Sequence, residues 1–390
     1  MTEAFKLLIN PAAITAIGSH LARAGGRSFD RSGFEQLALA GLDTMELKAR
    51  VMQVARALMA SLPADVDHAA SLLEASLGPA GVGDDLSGLR TSDAGLAGWP
   101  VWPLTEAIAL MAAQHAPARG LQALHAMTQR LTAEFAIRPF LIHHPRLGFE
   151  TLARWAHDPS AHVRRLVSEG SRPRLPWGLR LQAQVADPSA ALPLLAHLQD
   201  DASAYVRRSV ANHLNDIAKD HPALIADWLA RHLPGATAQR QALLRHASRS
   251  LVKQGDQAVL AAWGLGAPFV GTATLSLTPA RLTLGGSLQL VILLRSTARQ
   301  TQRLAIDYAV HHVKAGGHTT AKVFKGWVIA LAPGEVRLLE KQHPIKPITT
   351  RRYHAGTHSV DVRINGVVQA QAAFELQLGD AQPSGAKALA

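Results

Sequence analysis

The chain of 390 residues contains no cysteine. Disulfides, thiolate nucleophiles, iron–sulfur clusters and cysteine-bound zinc are thereby excluded. Aromatic residues are sparse, at 5% of the total. No stretch approaches the roughly 20 apolar residues of a membrane span. The first twenty residues carry Glu3 and no long apolar run, so they do not read as a secretory signal. The expected compartment is the cytoplasm. Acidic residues are in deficit, with 29 Asp and Glu against 40 Lys and Arg, a net charge of +11. Such an excess attracts polyanions, usually nucleic acid or an anionic membrane. A generally basic proteome would give the same figure.

What is present begins with helices. Leu37, Leu39, Leu42, Met45, Leu47, Val51, Val54 and Leu58 recur at helical spacing up to Pro63. A short helix is expected over residues 71–77. A loop rich in Gly, Pro, Asp and Ser follows over 78–100, ending at Trp99 and Trp102. Helices are expected again over 104–114 and 118–137.

Then a pattern repeats. WAHDPSAHVRRLVSE (155–169) and LQDDASAYVRRSVANHLND (198–216) share D-x-S-A-x-V-R-R-x-V, with Val163 and Val206 43 positions apart. At about 100° per residue, Val206, Val210, Leu214 and Ile217 fall in one apolar sector. Arg208, Asn212, Asn215 and Lys219 fall opposite, with Asp216 at the edge. Asp200 or Asp201 is the expected N-cap. A helix over 190–198 precedes. Helix pairs opening on D-x-x-V-R-R at a period near 40 residues are the signature of HEAT-type repeats, and a weaker third copy is read over 240–253. Such repeats stack into a curved solenoid with a long inner binding face.

After Trp263 the helical spacing gives way to alternation, with turns at Gly-Gly, Pro-Gly and Asn365-Gly366. About seven strands in roughly a hundred residues read as an immunoglobulin-like sandwich. The expected fold is therefore an all-α HEAT-like solenoid over 1–265, an all-β immunoglobulin-like sandwich over 270–378, and a flexible tail over 379–390. Residues 270–376 hold 13 Lys and Arg against 5 Asp and Glu. The sandwich thus carries most of the excess charge, which suggests that it too touches the polyanion.

The two repeats differ in their polar residues. Glu169 stands where the second copy has Asn212, and Arg165 matches Arg208. After Glu169 the first copy breaks into GSRPRLPWG, where Gly170, Pro173 and Pro176 prevent a helix. Arg172 and Arg174 bring charge, and Trp177 ends the loop. Arginines for phosphate and an indole for a sugar or base would suit nucleic acid. Trp177 packed between repeats, with solvated arginines, accounts for the same residues.

The blocks V-R-R-L-V-S-E-G-S-R-P-R-L-P-W and Y-V-R-R-S-V-A-N-H-L-N-D-I-A-K-D-H-P resemble the AlkC branch of the AlkC/AlkD DNA alkylation-repair glycosylases. So does the opening FDRSGFEQLALAGLDTMELKARVMQVARAL, and the likeness extends over nearly the whole chain, sandwich included. The resemblance implies hydrolysis of the N-glycosidic bond of cationic alkylated bases, such as N3-methylcytosine and N3-methyladenine, in base excision repair. A cationic base leaves readily, so no strong general acid is required. The enzyme must supply negative charge near a developing oxocarbenium-like sugar and a positioned water. An aromatic face can add cation–π stabilisation.

Carried over motif by motif, the resemblance gives Glu169, Asp216 and Glu134 as the carboxylates, with Trp177 as the aromatic. For Glu134, in A-E-F-A-I-R-P-F, an exposed helix carboxylate is the plain alternative; for Glu169 an ion pair with Arg165; for Asp216 a pair with Lys219 or Arg208. DNA positioning falls to Arg165, Arg172, Arg174, Arg207, Arg208 and Lys219, with Asn212 and Asn215 as hydrogen-bonding partners. Arg207 lies nearer the apolar flank than Arg208. In the sandwich the candidates are Lys314, Lys322, Lys325, Arg351 and Arg352. The expectation is a monomer acting on DNA, with no metal, cofactor, membrane or obligate protein partner. A non-catalytic HEAT scaffold or damage-binding protein is the rival. The discriminator is whether Glu134, Glu169, Asp216 and Trp177 converge on one cleft ringed by arginine.

Overall fold

The computed structural model describes residues 5–348 and 351–378. The expected tail, 379–390, lies outside the described residues. By internal packing the chain divides into two compact units, Met1–Asp220 with Ala236–Ala247, and His221–Gly235 with Ser248–Ala390. No helix among the described residues is long and apolar enough to cross a membrane.

The first unit is helical. Its opening helices start on side-chain caps: Asn10 Oδ1 accepts from Ala13 N, Asp30 Oδ1 from Gly33 N and Asp65 Oδ2 from His68 N. The Asp65 cap starts the helix Val66–Ala75 five residues before the apolar pattern suggests. The helical stretch expected through Leu58 is two helices, Arg31–Leu39 and Leu47–Ser61. Gly41 divides them by taking φ 67°, a left-handed conformation that only glycine adopts cheaply. The helix expected to reach Ile137 ends at Thr128 instead. Arg130 causes this by donating Nη1 to Ala126 O at 2.9 Å and Nε to Gly78 O at 2.8 Å. It satisfies a terminal carbonyl that another turn would have used. Residues 129–137 then run as turns, so Glu134 sits on a loop and not on a helix face.

The repeated motif forms two helices, Ala161–Gly170 and Ala204–Ile217, packed against each other. Val163, Val167, Val206, Val210 and Leu214 are fully buried between them and their neighbours. Each such side chain contributes about 1.5–3 kcal/mol by leaving water. The second helix is capped by Ser203, whose Oγ accepts from Val206 N, and not by an aspartate. Asp201 lies two residues before the cap, accepting from Ser203 N and from Arg164. Ala204–Ile217 packs in turn on Ala238–Ala247. The third copy is thus two short helices, Ala238–Ala247 and Arg249–Gln254, divided at Ser248.

The second unit joins short helices to two β-sheets. Eight strands are described: β1 (Gly271–Thr278), β2 (Arg281–Thr283), β3 (Ser287–Ser296), β4 (Gln302–Val313), β5 (Thr319–Leu331), β6 (Val336–Pro344), β7 (Gly356–Ile364) and β8 (Val367–Gln377). β2 is only three residues long and pairs parallel with β8. The sheets have orders β1-β3-β6 and β2-β8-β7-β4-β5. They face each other across Leu288, Leu290, Tyr308, Val310, Val360 and Phe374. The Asn365-Gly366 turn has φ 50° and 81°, as a tight hairpin requires. The buried Asn365 side chain accepts from Ala305 N at 2.8 Å and donates to Ala267 O at 2.7 Å.

Three histidines are buried in this unit: His312, His343 and His358. His343 Nδ1 pairs with the Tyr308 hydroxyl at 2.9 Å, and Arg351 Nη1 donates to His312 Nε2 at 2.6 Å. Burial and the nearby Arg351 lower His312 to about 3 and His343 to about 4. Their folded pKa values lie below the ordinary 6.5, so their neutral forms stabilise the fold fully above that pH. That stability is lost as pH falls from 6.5 toward 4 and below. Thermal melts of the full chain between pH 7.5 and 4.5 should show a falling Tm for the strand-rich unit, reduced in His312→Gln and His343→Gln. A flat profile would contradict buried neutral imidazoles.

Candidate active site

Glu169 sits at the last turn of Ala161–Gly170, where the SEGSRPRLPW segment leaves the helix. It is 5% exposed. Arg172 Nη1 donates to its Oε1 at 2.5 Å, Ser209 Oγ to its Oε2 at 2.6 Å, and Arg165 lies 3.7 Å away. Burial opposes ionisation of this carboxyl. Arg165, Arg172 and the Ser209 hydroxyl outweigh it, holding the pKa below the usual glutamate value.

Asp216, on Ala204–Ile217, is 2% exposed. Arg172 Nε donates to its Oδ2 and Lys219 Nζ to its Oδ1, both at 2.8 Å. One guanidinium therefore joins Glu169 and Asp216, carboxylates from the two copies of the repeat. Glu134 comes from the loop that Arg130 opened. Its Oε2 accepts from Thr132 Oγ1 at 2.9 Å and from Arg165 Nη1 at 2.5 Å. Burial opposes the charge on Arg165, but Glu134 and Glu169 hold its pKa above the ordinary arginine value. The same guanidinium stands 5.1 Å from the Tyr205 ring centre. Both ion pairs offered as plain alternatives, Glu169 with Arg165 and Asp216 with Lys219, are present; they are parts of this network.

Beside the network lies a cleft of about 390 Å³. Glu134, Glu169, Arg172 and Trp177 line it, together with Trp99, Trp102 and Phe135. Trp102 stacks on Phe135 with ring centres 5.2 Å apart, and its Nε1 donates to Glu106 at 3.1 Å. Trp177 is 69% exposed at the rim and does not pack between repeats. Asp216 is not among the lining residues; it lies behind Arg172.

The remaining candidates separate. Arg208 and Lys219 are exposed. Arg207 donates to the carbonyls of Asp201 and Ala202 at the start of its own helix. Arg174 forms a bidentate pair with Asp220 at 2.6 and 2.7 Å. Asn212 Oδ1 is engaged by His246 Nε2 at 2.8 Å. Asn215 is buried, not displayed on an open polar face. In the second unit Lys322 and Lys325 are exposed on β5, an edge strand. Lys314 stands at the β4–β5 turn, Arg352 is exposed, and Arg351 is held by His312.

Three groups at the site escape sequence reasoning. Arg138 is fully buried; its Nη1 donates to Gly170 O at 2.8 Å and its Nε to Leu179 O, so it ties both ends of the Arg172 loop. Burial and the Arg172 charge lower it to about 10. His213 is fully buried, its Nδ1 against Ser168 O at 2.9 Å, and burial lowers it to about 4. The third group is the Trp99–Trp102–Phe135 wall. Only its indoles stand out in the sequence, as the end of a loop. Among the described residues no group of three or more His, Asp or Glu side chains could hold a metal ion.

Residues 271–378 match the model of the family described as "Uncharacterised protein YhaZ, C-terminal Ig-like domain". The chain is 34% identical over 363 residues to "Uncharacterized protein YhaZ" of Bacillus subtilis, covering 92% of this chain and 95% of the other. Among solved structures it is similar to the Pseudomonas fluorescens alkylpurine DNA glycosylase AlkC bound to DNA containing an abasic site analog. That match has a TM-score of 0.84 and 36% identity, over 96% of this chain and 100% of the other. The likeness covers nearly the whole chain, helical unit and sandwich included, and the chain belongs to the AlkC family, in the branch with a C-terminal immunoglobulin-like domain.

Proposed function

We propose that this chain is a monofunctional DNA glycosylase acting in the cytoplasm. It would hydrolyse the N-glycosidic bond of cationic alkylated bases of the N3-methylcytosine and N3-methyladenine class. The observation that carries the reading is the meeting of Glu134, Glu169 and Trp177 on one cleft, with arginines shared among the carboxylates. A scaffold has no use for buried acids aimed at an aromatic cleft. The kinship with AlkC supports the same reading, and the packed helix pairs support a HEAT-like solenoid.

The chemistry follows from charge. A cationic base departs as a neutral leaving group, so the barrier lies in the positive charge left on the sugar. Carboxylates fixed in a water-poor site stabilise that charge without reorganising. Glu169, held ionised by Arg165 and Arg172, is placed for this. Glu134 orients the attacking water or shares the charge, and the Trp177 face adds cation–π attraction. Asp216 reaches the sugar once Arg172 turns toward a phosphate. Arg208 and Lys219 are the exposed cations of the same surface, and Lys322, Lys325 and Arg352 those of the sandwich.

The test is duplex DNA carrying one N3-methylcytosine or N3-methyladenine, incubated without metal and then treated with alkali. Strand scission only after alkali supports a monofunctional glycosylase. Intact strands despite tight, salt-sensitive binding would leave a damage-binding protein.

A further inference from the structure

Trp177 has φ 64°, in the left-handed region, although Gly178 is the next residue. A bulky residue in that conformation is strained and persists only where its surroundings hold it. Part of the holding is local: Arg138 ties Gly170 O and Leu179 O, and Gly178 N closes a turn on Leu175 O at 3.1 Å. The remainder comes from far along the chain. Lys48 Nζ donates to the carbonyl of Trp177 itself, at 2.7 Å.

Lys48 stands in the first turn of Leu47–Ser61, on an exposed surface. A cation at a helix N-terminus opposes the dipole, which disfavours it there. It makes no ion pair among the described residues. Its charge nonetheless lies close enough to Glu106 to oppose the rise that burial gives that carboxyl. Glu106 in turn accepts from Trp102 Nε1. Lys48 is therefore linked to two of the three indoles of the cleft, bonded to the backbone of Trp177 and near the Glu106 that anchors Trp102.

We propose that Lys48 is a positioning residue, pinning the Trp177 wall of the cleft so that the indole faces the reacting sugar. This rests on the glycosylase reading of Trp177. The experiment uses the full-length protein with Lys48→Met, Lys48→Arg and Trp177→Ala. Hydrogen–deuterium exchange over residues 174–180, single-turnover excision of N3-methyladenine, and the salt dependence of binding to abasic-site duplex are measured for each.

Lys48→Met should speed exchange in that segment several-fold and slow excision about tenfold, as expected for loss of geometry. DNA affinity and its salt slope should stay unchanged, and Lys48→Arg should restore most of the rate. Unchanged exchange overturns the proposal. So does a salt slope reduced by about one phosphate contact, which would mark Lys48 as a DNA ligand. If Trp177→Ala slows excision but Lys48→Met does not, the positioning role falls alone. If neither slows it, the reading of Trp177 falls and takes this proposal with it.

Discussion

Glu169→Gln should lower single-turnover excision of N3-methyladenine by about 10²–10³-fold, the usual effect of removing one preorganised group that meets developing charge. The substitution keeps the shape and the bond to Ser209 but removes the negative charge. Arg165 keeps Glu134, and Arg172 keeps Asp216, so neither cation is stranded. Loss of activity with little loss of Tm is the expected pattern. A rate within threefold of the parent would remove Glu169 from the reaction. A collapse of Tm equal to the loss of rate would make it a structural acid.

Arg172→Met should have the largest effect on stability. It deletes one cation from two buried carboxylates at once. Breaking a buried pair typically costs about 3–5 kcal/mol. Asp216 keeps Lys219 and Glu169 keeps the more distant Arg165, so the lower figure applies. At about 2–4 °C per kcal/mol for a unit of this size, Tm should drop by about 10 °C at pH 7. The pH dependence has a fixed sign. Glu169 has a folded pKa below its ordinary 4.5, so its contribution is complete above that pH and is lost as pH falls through the folded value. The difference in Tm between parent and variant should therefore shrink below pH 4.5. A constant difference would mean that Arg172 acts through packing alone.

The sequence made the carboxylates findable because Glu169 and Asp216 sit in long blocks of unusual composition, next to a repeat whose valines set the helix faces. Asn215 shows the limit of that reasoning. A helical wheel sorts residues into two faces, yet on the polar side of Ala204–Ile217 Arg208 and Lys219 are exposed while Asn215 is buried. Arg174 shows a second limit, since its partner Asp220 lies 46 residues away. Arg138 reads as an ordinary helix start in I-R-P-F; only the fold brings Gly170 and Leu179 to it. Lys48 is the extreme case, its acceptor lying 129 positions away. The strands of the sandwich were legible because alternation is a local signal.

The bridge made by Arg172 also bears on which lengths of chain can vary. It requires Glu169 and Asp216, on separate helices, to stay within the span of one guanidinium. One residue inserted before Glu169 within Ala161–Gly170 would swing that carboxylate by about 100° and push it along the axis by about 1.5 Å. Between the two helices, Leu192–Leu198, Asp201 and Ser203 are also held, and the freest stretch is the turn 187–191. Insertions and deletions among homologues should therefore collect in residues 187–191 and be absent from both repeat helices, so that the gap pattern itself outlines the site.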